Sequence, residues 1–145
     1  MLSYLRRHRI LSRLLFGLLS VVIAAMVFDR YQSLRILNTN GPREAERLIA
    51  AIAPLRQEVG EHRRYGRVWH GSAEWLSLGG GTMEAYVPVH GDKTSGTLYI
   101  EDWDDLGASK IREIRFRPNG QSTWIDYKDR VDMKVYYGDE LRQNP

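Results

Sequence analysis

The sequence predicts an α+β protein, with a single transmembrane helix at the N-terminus and then a helix packed on a mainly antiparallel β-sheet. Three observations support this fold class. An apolar run occupies residues 14–28, apolar residues recur every three or four positions over 42–59, and apolar and polar residues alternate from Arg67 onward. These patterns are typical of a membrane span, an amphipathic helix and half-buried strands, respectively.

The apolar run has nearly the length that a membrane-spanning helix needs. Counted back to Ile10 it reaches 19 positions, interrupted by Ser12 and Arg13, and a helix crosses the hydrocarbon core with roughly 20 residues. The long stem of Arg13 can carry its charge to the lipid headgroups. The large apolar side chains that we expect in lipid are those of Leu14, Leu15, Phe16, Leu18, Val21, Ile23 and Phe28.

The charges on either side of the run predict its orientation. Four arginines occur before it, the first 28 residues contain no acid, and Asp29 and Arg30 follow. The positive-inside rule then places the N-terminus in the cytoplasm or mitochondrial matrix, and the rest of the chain in the periplasm or intermembrane space. An uncleaved anchor fits best, because residues 23–25 match a signal-peptidase site poorly and because the run is apolar on every face, unlike a transit peptide.

Residues 1–38 are thus predicted to hold the basic N-terminus and the transmembrane helix, and residues 39–145 a small α+β soluble domain. Outside the first 28 residues, 17 basic and 18 acidic residues nearly cancel, which argues against nucleic acid as a partner. The chain contains no cysteine, so disulfides, thiolate metal sites and a cysteine nucleophile are excluded.

Two helical segments are predicted after the span. Residues 29–38 can continue the membrane helix into water, and residues 38–41, Asn-Thr-Asn-Gly, predict a break and a new N-cap before Pro42. The amphipathic helix then covers 42–59. We expect it to kink or restart at Pro54 and to end at Gly60.

Alternating residues predict a set of short strands. Residues 91–96 begin and end with glycine and predict a hairpin turn. Pro88 lacks an N–H and should lie on an edge strand or face outward. Because no helical pattern lies between the strands, the sheet should be antiparallel. The predicted strands are 65–69, 73–78, 82–90, 97–103, 110–117, 122–127 and 131–137.

Patterns that carry catalysis or bind a metal or cofactor are missing. The four histidines lack metal-ligand spacing, residues 79–81 lack the frame of a phosphate loop, and residues 71–73 lack a nucleophile elbow. We therefore expect no enzymatic activity, catalytic residue, cofactor, metal site or small-molecule substrate. The acidic run 101–105 is interpreted as a solvated turn, with an acidic docking surface as the alternative.

The aromatic residues leave two interpretations open. Four tryptophans and eight tyrosines are many for so short a chain. They can fill the core between helix and sheet, or some can line a protein interface, where Trp and Tyr act as anchors. The charged, alternating run 127–145 adds a predicted edge strand that could accept a strand from a partner.

One segment resembles a known family. Residues 86–100 read Tyr-Val-Pro-Val-His-Gly-Asp-Lys-Thr-Ser-Gly-Thr-Leu-Tyr-Ile. Together with a helix that ends in Val59-Gly60, they are similar to the I-P-V-x-G-x-K-x-x-G-x-L-x-V hairpin of the cytochrome c oxidase assembly factor 1 family. The subunit that links the mitochondrial presequence translocase to the respiratory chain shares this fold.

The resemblance covers roughly residues 43–116. It implies one N-terminal span, an N-terminus in the matrix, a small α+β domain in the intermembrane space and no catalytic residues. The chain departs from the family after the hairpin. Residues 108–111 lack the tryptophan that precedes the family's next strand, and the extension from Trp124 onward is additional.

These observations lead to one main hypothesis: a non-catalytic, single-pass accessory subunit or assembly factor of cytochrome c oxidase or complex I in the mitochondrial inner membrane, which binds respiratory-chain subunits. Two alternatives stay open, a presequence-translocase regulator that binds basic segments in the intermembrane space and an anchored binding protein that faces a bacterial periplasm. The small residues that either pack against another helix or face lipid are Gly17, Ser20, Ala24 and Ala25. The residues predicted to contact a partner protein are Lys93, Glu101, Asp102, Trp103, Asp104 and Asp105.

Overall fold

The computed structural model describes the backbone of residues 2–75, 81–105 and 108–132, and the side chains of residues 12–74, 81–103 and 110–132. The chain divides into two compact units, Met1–Gln32 and Ser33–Pro145. The described part of the first unit is entirely α-helical. The second unit packs a helical layer on an antiparallel sheet, which is the predicted α+β class.

A single helix, α1, runs from Leu2 to Ala51, so the predicted break at 38–41 is wrong. Asn38 does not cap a new helix. Its Nδ2 donates to the Val68 carbonyl at 2.9 Å and its Oδ1 accepts from the Val68 N–H at 2.8 Å. The same Nδ2 also donates to the Leu34 carbonyl one turn earlier at 2.8 Å, so the side-chain amide ties the helix to the Val68 backbone instead of capping a new helix.

The glycine and proline that follow Asn38 also lie inside α1. Gly41 is buried against the sheet, and a Cβ at this position would lie 3.4 Å from Cγ2 of Val87. Pro42 withholds one helical N–H, yet the helix continues through it. Close packing of the helix on the sheet therefore overrides the local signal for a turn.

The predicted restart at Pro54 is confirmed. The helix ends at Ala51, Ile52 has an extended backbone with φ −111° and ψ 92°, and α2 covers Ala53–Val59. Gly60 ends α2 with φ 101°, a conformation that strains any residue with a Cβ. The N–H of Gly60 donates to the Arg56 carbonyl at 2.9 Å.

Within the described residues, six strands form one sheet in the order β1-β3-β4-β5-β6, with β2 also paired to β3 and all pairings antiparallel. The predicted hairpin turn at 91–96 is confirmed, since β3 ends and β4 begins there. The strands are β1 Arg63–Tyr65, β2 Gly71–Trp75, β3 Gly81–Gly91, β4 Ser95–Asp105, β5 Ala108–Pro118 and β6 Ile125–Asp126.

Four strand predictions need correction or fall partly outside the described residues. β2 begins two residues before the predicted 73–78, and residues 76–78 lie outside the described residues. β1 lies before the predicted 65–69, because Val68 leaves the sheet to bond Asn38. β6 is two residues long instead of spanning 122–127. Val131 and Asp132 do not belong to a strand, and the rest of the predicted strand 131–137 lies outside the described residues, as does most of the predicted tip at 79–81.

Pro88 lies in a central strand rather than on an edge, but it alternates with the buried Val87 and Val89 and so faces outward, the other predicted placement. Its missing donor is not needed at this place. β1 pairs with residues 89–91 of β3 and β2 with residues 81–85, so the Pro88 position faces the gap between them. Its carbonyl accepts from the Gly66 N–H at 2.9 Å. Since N–H and C=O of one residue point to the same side of a strand, the absent N–H would face the same connecting loop.

The core lies between the helices and one face of the sheet. The alternation that predicted a shared face for Met83, Ala85, Val87 and Val89 is confirmed, with Met83 partly buried and the other three fully buried. Among the described side chains, that of Phe116 is the largest that is fully buried. The other core residues are Leu37, Ala45, Leu48, Ile49, Ala51, Ile52, Leu55, Val59, Val68, Leu98, Ile100, Ile114 and Tyr127.

A polar cluster fastens β1 to the helical layer. Arg63 donates from Nη2 and Nε to the two carboxylate oxygens of Glu46 at 2.7 and 3.2 Å, and the Tyr65 hydroxyl donates to the same carboxylate. The hydrogen bonds from the Arg63 guanidinium group lower the pKa of Glu46 below its usual range. Bidentate pairs of this kind fix orientation as well as charge, so the cluster sets where β1 lies against α1.

Candidate interaction surface on the outer face of the sheet

The predicted interface residues do not form one site. Lys93 lies in the β3–β4 turn, whereas Glu101, Asp102 and Trp103 lie toward the other end of β4. At about 3.3 Å per residue, the strand separates the two groups by roughly 20–25 Å.

Lys93 forms two hydrogen bonds to the C-terminal end of α2. Its Nζ donates to the Gln57 carbonyl and its backbone N–H to the Val59 carbonyl, both at 3.2 Å. These carbonyls belong to the last turn of α2, where helical partners are lacking and a positive charge is favoured. Lys93 thus caps α2 and remains exposed at its surface.

Gly91 allows the hairpin to approach α2 this closely, because a Cβ there would lie 2.0 Å from the Val59 carbonyl oxygen. Gly60 is required by its φ of +101° instead, since the Asp92 side chain next to it is exposed and can turn aside. The glycine–lysine pattern that carries the family resemblance therefore has a structural role in this chain, the docking of the β3–β4 turn on the end of α2.

The acidic run 101–105 is part of β4, so its interpretation as a turn is wrong. A bulge between Glu101 and Asp102 shifts the pairing with β5, with Glu101 opposite Glu113 and Asp102 opposite Ile111. By their register with β3, Glu101 and Trp103 lie on the outer face, which is the side of the sheet away from the helices, and Asp102 lies on the helix-facing side. The side chains of Asp104 and Asp105 lie outside the described residues.

The face of the sheet that points away from the helices carries aromatic and charged side chains in register. One row across β3, β4 and β5 consists of three glutamates, and the next consists of two tyrosines and an arginine. Opposite residues in such rows have Cβ atoms roughly 5 Å apart, and like charges there repel. The rows are Glu84, Glu101 and Glu113, and then Tyr86, Tyr99 and Arg115.

Three aromatic rings form the centre of this face. The rings of Tyr86 and Tyr99 lie 4.8 Å apart, and Trp124 meets them edge-on at 6.3 and 6.4 Å. With Glu113 and Arg115 they line a small depression of about 140 Å³. Burial raises the pKa of Tyr99 to about 12, and the negative charge of Glu84 acts in the same direction.

Arginines offset two of the three glutamates. Arg112 lies 3.5 Å from Glu101 and Arg115 pairs with Glu113. Arg112 also stacks on Trp103, with its Cζ 4.2 Å from the ring centroid. Among the described side chains, Glu84 has no cation within ion-pair distance.

Most of this surface could not be predicted from the sequence. Glu84, Tyr86, Tyr99 and Glu113 each look unremarkable along the chain. The one available signal was the hairpin at 91–96, because a turn of fixed length sets the register that places Tyr86 opposite Tyr99. The described tryptophan side chains lie at the surface rather than in the core: Trp103 and Trp124 are half-buried, and Trp69 is 56% exposed.

Glu44 and Asp102 place two carboxylates near each other on the helix-facing side of the sheet. Glu44 of α1 has only 13% of its side chain exposed, and its Oε1 has no hydrogen-bond partner among the described residues. Burial first, and the nearby charge of Asp102 second, raise the pKa of Glu44 to about 7, while Arg47 at 4.0 Å partly opposes them. Glu44 can therefore take up a proton near neutral pH.

Among the described residues, one helical segment is long and apolar enough to cross a membrane. It lies within the described helix from Ser12 onward, and none of it is buried inside the protein. All seven predicted lipid-facing side chains are exposed. Ser20 satisfies its hydroxyl within the helix by donating to the Phe16 carbonyl at 2.8 Å, and a Cβ on Gly17 would meet open space.

Ser20 and Ala24, two of the predicted packing residues, lie together in a shallow apolar depression on this helix. Ile23, Val27 and Phe28 complete most of its lining. The geometry suits contact with either another helix or lipid chains.

Across the described part of the chain, no group of three or more His, Cys, Asp or Glu side chains could hold a metal ion. Comparison with family models, curated proteins and solved structures found no match to this chain.

Proposed function

We propose that this protein is a membrane-anchored, non-catalytic binding module that holds a partner protein against the outer face of its sheet. The observation that carries the proposal is the aromatic and charged surface around Tyr99, which no described residue covers. Tyrosine, tryptophan and arginine are the residue types that concentrate binding energy at protein interfaces, and here they stand side by side on a rigid sheet.

The helical segment of the first unit supports the anchored part of the proposal. Its apolar side chains are exposed over a length that matches a bilayer, as expected for a helix whose solvent is lipid. The preceding arginines favour an N-terminus on the cytoplasmic or matrix side. The sheet would then face the opposite compartment.

The finer assignment is a mitochondrial inner-membrane accessory subunit or assembly factor, with respiratory-chain subunits of cytochrome c oxidase or complex I as partners. Its support is the resemblance of residues 86–100 to the assembly-factor hairpin, and the Lys93 contact with α2 gives that hairpin a physical purpose. The domain would lie in the intermembrane space.

Purification of the full-length protein in mild detergent, with mass spectrometry of the proteins that co-migrate, tests this proposal. We expect respiratory-chain subunits. Recovery of import subunits alone would refute the finer assignment, and recovery of no partner would refute the proposal as a whole.

A matched pair of variants locates the binding surface. Arg115 on the outer face and Arg56 on α2 have nearly equal side-chain exposure, 45% and 44%. Arg115→Ala should change the recovery of the partner several-fold, whereas Arg56→Ala should leave it unchanged. Equal effects would show that the partner does not use the outer face.

A further inference from the structure

Among the described residues, two of the three glutamates in the row are paired with a cation and the third, Glu84, is not. Neighbouring carboxylates on adjacent strands repel, and a folded sheet tolerates them when cations are close. Arg112 and Arg115 supply those cations for Glu101 and Glu113. Both arginines belong to β5, two strands away from Glu84 on β3.

The described residues of β2, the strand that pairs with β3 on the side opposite β4, supply no cation to Glu84 either. Its register partner in β2 is Ser72, and the next outward-facing residue of β2 is Glu74, which is exposed. The negative charge of Glu84 is therefore uncompensated among the described residues, at a half-buried position on a sheet face.

The surroundings of Glu84 suit a positively charged group. Burial first, and the nearby charge of Glu84 second, raise the pKa of Tyr86, and the Tyr86 and Tyr99 rings contact each other at a tilt with centroids 4.8 Å apart. A guanidinium or ammonium group gains from a carboxylate and from an aromatic face within about 6 Å. The alternative, an anionic group, would have to displace the carboxylates that already hold Arg112 and Arg115.

We propose that Glu84, Tyr86 and Tyr99 form the receptor for a cationic side chain, arginine or lysine, in an exposed segment of the partner protein. This inference rests on the proposed function and names the chemistry of the partner. The incoming cation completes the charge pattern of the glutamate row, with one cation for each carboxylate.

The test uses the full-length protein in nanodiscs of phosphatidylcholine, which carries no net charge, with empty nanodiscs as the blank. The probes are two fluorescein-labelled peptides of twelve residues, one alternating arginine and serine and the other glutamate and serine. Fluorescence anisotropy should show binding of the arginine peptide that weakens as salt is raised. Tighter binding of the glutamate peptide would overturn the proposal.

A charge-matched pair of variants makes the test specific. Glu84→Gln should weaken binding of the arginine peptide at least tenfold, and Glu61→Gln, which removes an exposed glutamate beside α2, should weaken it less than twofold. Equal losses would mean non-selective attraction and would overturn the proposal. Glu84→Gln relieves repulsion in the row, so we expect its midpoint of unfolding to equal or exceed that of the unmodified protein.

Co-purification separates this inference from the proposed function. If Glu84→Gln recovers less of the native partner, both stand. If a partner is recovered and Glu84→Gln recovers as much of it as the unmodified protein, the binding function stands and the cation receptor is wrong.

Discussion

Replacing Glu44 by glutamine should stabilise the protein above neutral pH and change little below pH 5. The pKa of Glu44 rises from 4.5 to about 7 because the carboxylate is buried and faces Asp102. The folded state therefore binds the proton more tightly than the unfolded state. The stability that the neutral acid contributes is fully present below pH 4.5 and is lost as the pH rises through 7.

The size of the effect follows from the shift. At 1.36 kcal/mol per pKa unit, a rise from 4.5 to about 7 corresponds to about 3 kcal/mol in total. About 2.5 kcal/mol of this falls between pH 5 and pH 8.5. Glutamine does not titrate, so the difference in stability between Glu44→Gln and the unmodified protein should grow by that amount over this range.

Tryptophan fluorescence during urea unfolding in nanodiscs measures this difference. All four tryptophans lie between residues 69 and 124, so the signal reports the second unit and not the membrane segment. Glu61→Gln, which changes the same charge at a side chain 75% exposed, is the control and should show no such growth. A difference for Glu44→Gln that stays constant with pH would refute the assignment of the raised pKa to this carboxyl.

Three further predictions concern the hairpin, its cap and the anchor. Gly91→Ala should destabilise the second unit by several kcal/mol, because its Cβ would lie 2.0 Å from the Val59 carbonyl oxygen. Gly120→Ala is the control and should cost about 1 kcal/mol, because Gly120 has φ +81° but open space around it. Equal losses of stability in urea unfolding would contradict the close approach of Gly91 to Val59. Lys93→Met should cost about 0.5–1 kcal/mol by removing the charge that caps α2, and an unchanged midpoint would show that the cap has no energetic role. Sodium carbonate washing should leave the protein in the membrane pellet, while the double variant Leu18→Arg, Val21→Arg should move to the supernatant; release of the unmodified protein would contradict the anchor.

Local periodicity predicted the elements whose neighbours in sequence are also their neighbours in space. The apolar spacing over 42–59, the restart at Pro54 and the stop at Gly60 depend on contacts a few residues apart, and they agree with the structure. The β3–β4 hairpin is local in the same sense. Its turn fixes the register over the whole length of both strands.

Elements that depend on distant contacts were predicted poorly. Asn38 and Gly41 carry strong turn signals, yet Val68 and Val87 supply contacts that keep both residues in a helix. The acidic run 101–105 looked like a turn because strands rarely carry so many charges, but pairing with both β3 and β5 keeps it extended. β6 pairs with β5 over Ile125 and Asp126 and ends where the chain turns into a 3₁₀ helix at Lys128–Arg130.

The candidate surface was only partly foreseen for the same reason. Glu101 and Trp103 stood out within a charged run, but Glu84 and Glu113 join them only through strand register. Sequence spacing cannot show that the Lys93 ammonium group is hydrogen-bonded to α2, because its acceptor residue, Gln57, lies 36 positions earlier.

Site-specific photo-crosslinking in native membranes tests most directly the claim that the outer face of the sheet holds a partner. Benzoylphenylalanine would replace Trp124 on that face and, in a control, Arg56 on α2. We predict a covalent adduct with a second protein from position 124 and none from position 56. Adducts of equal yield from both positions, or from position 56 alone, would contradict the assignment of the binding surface.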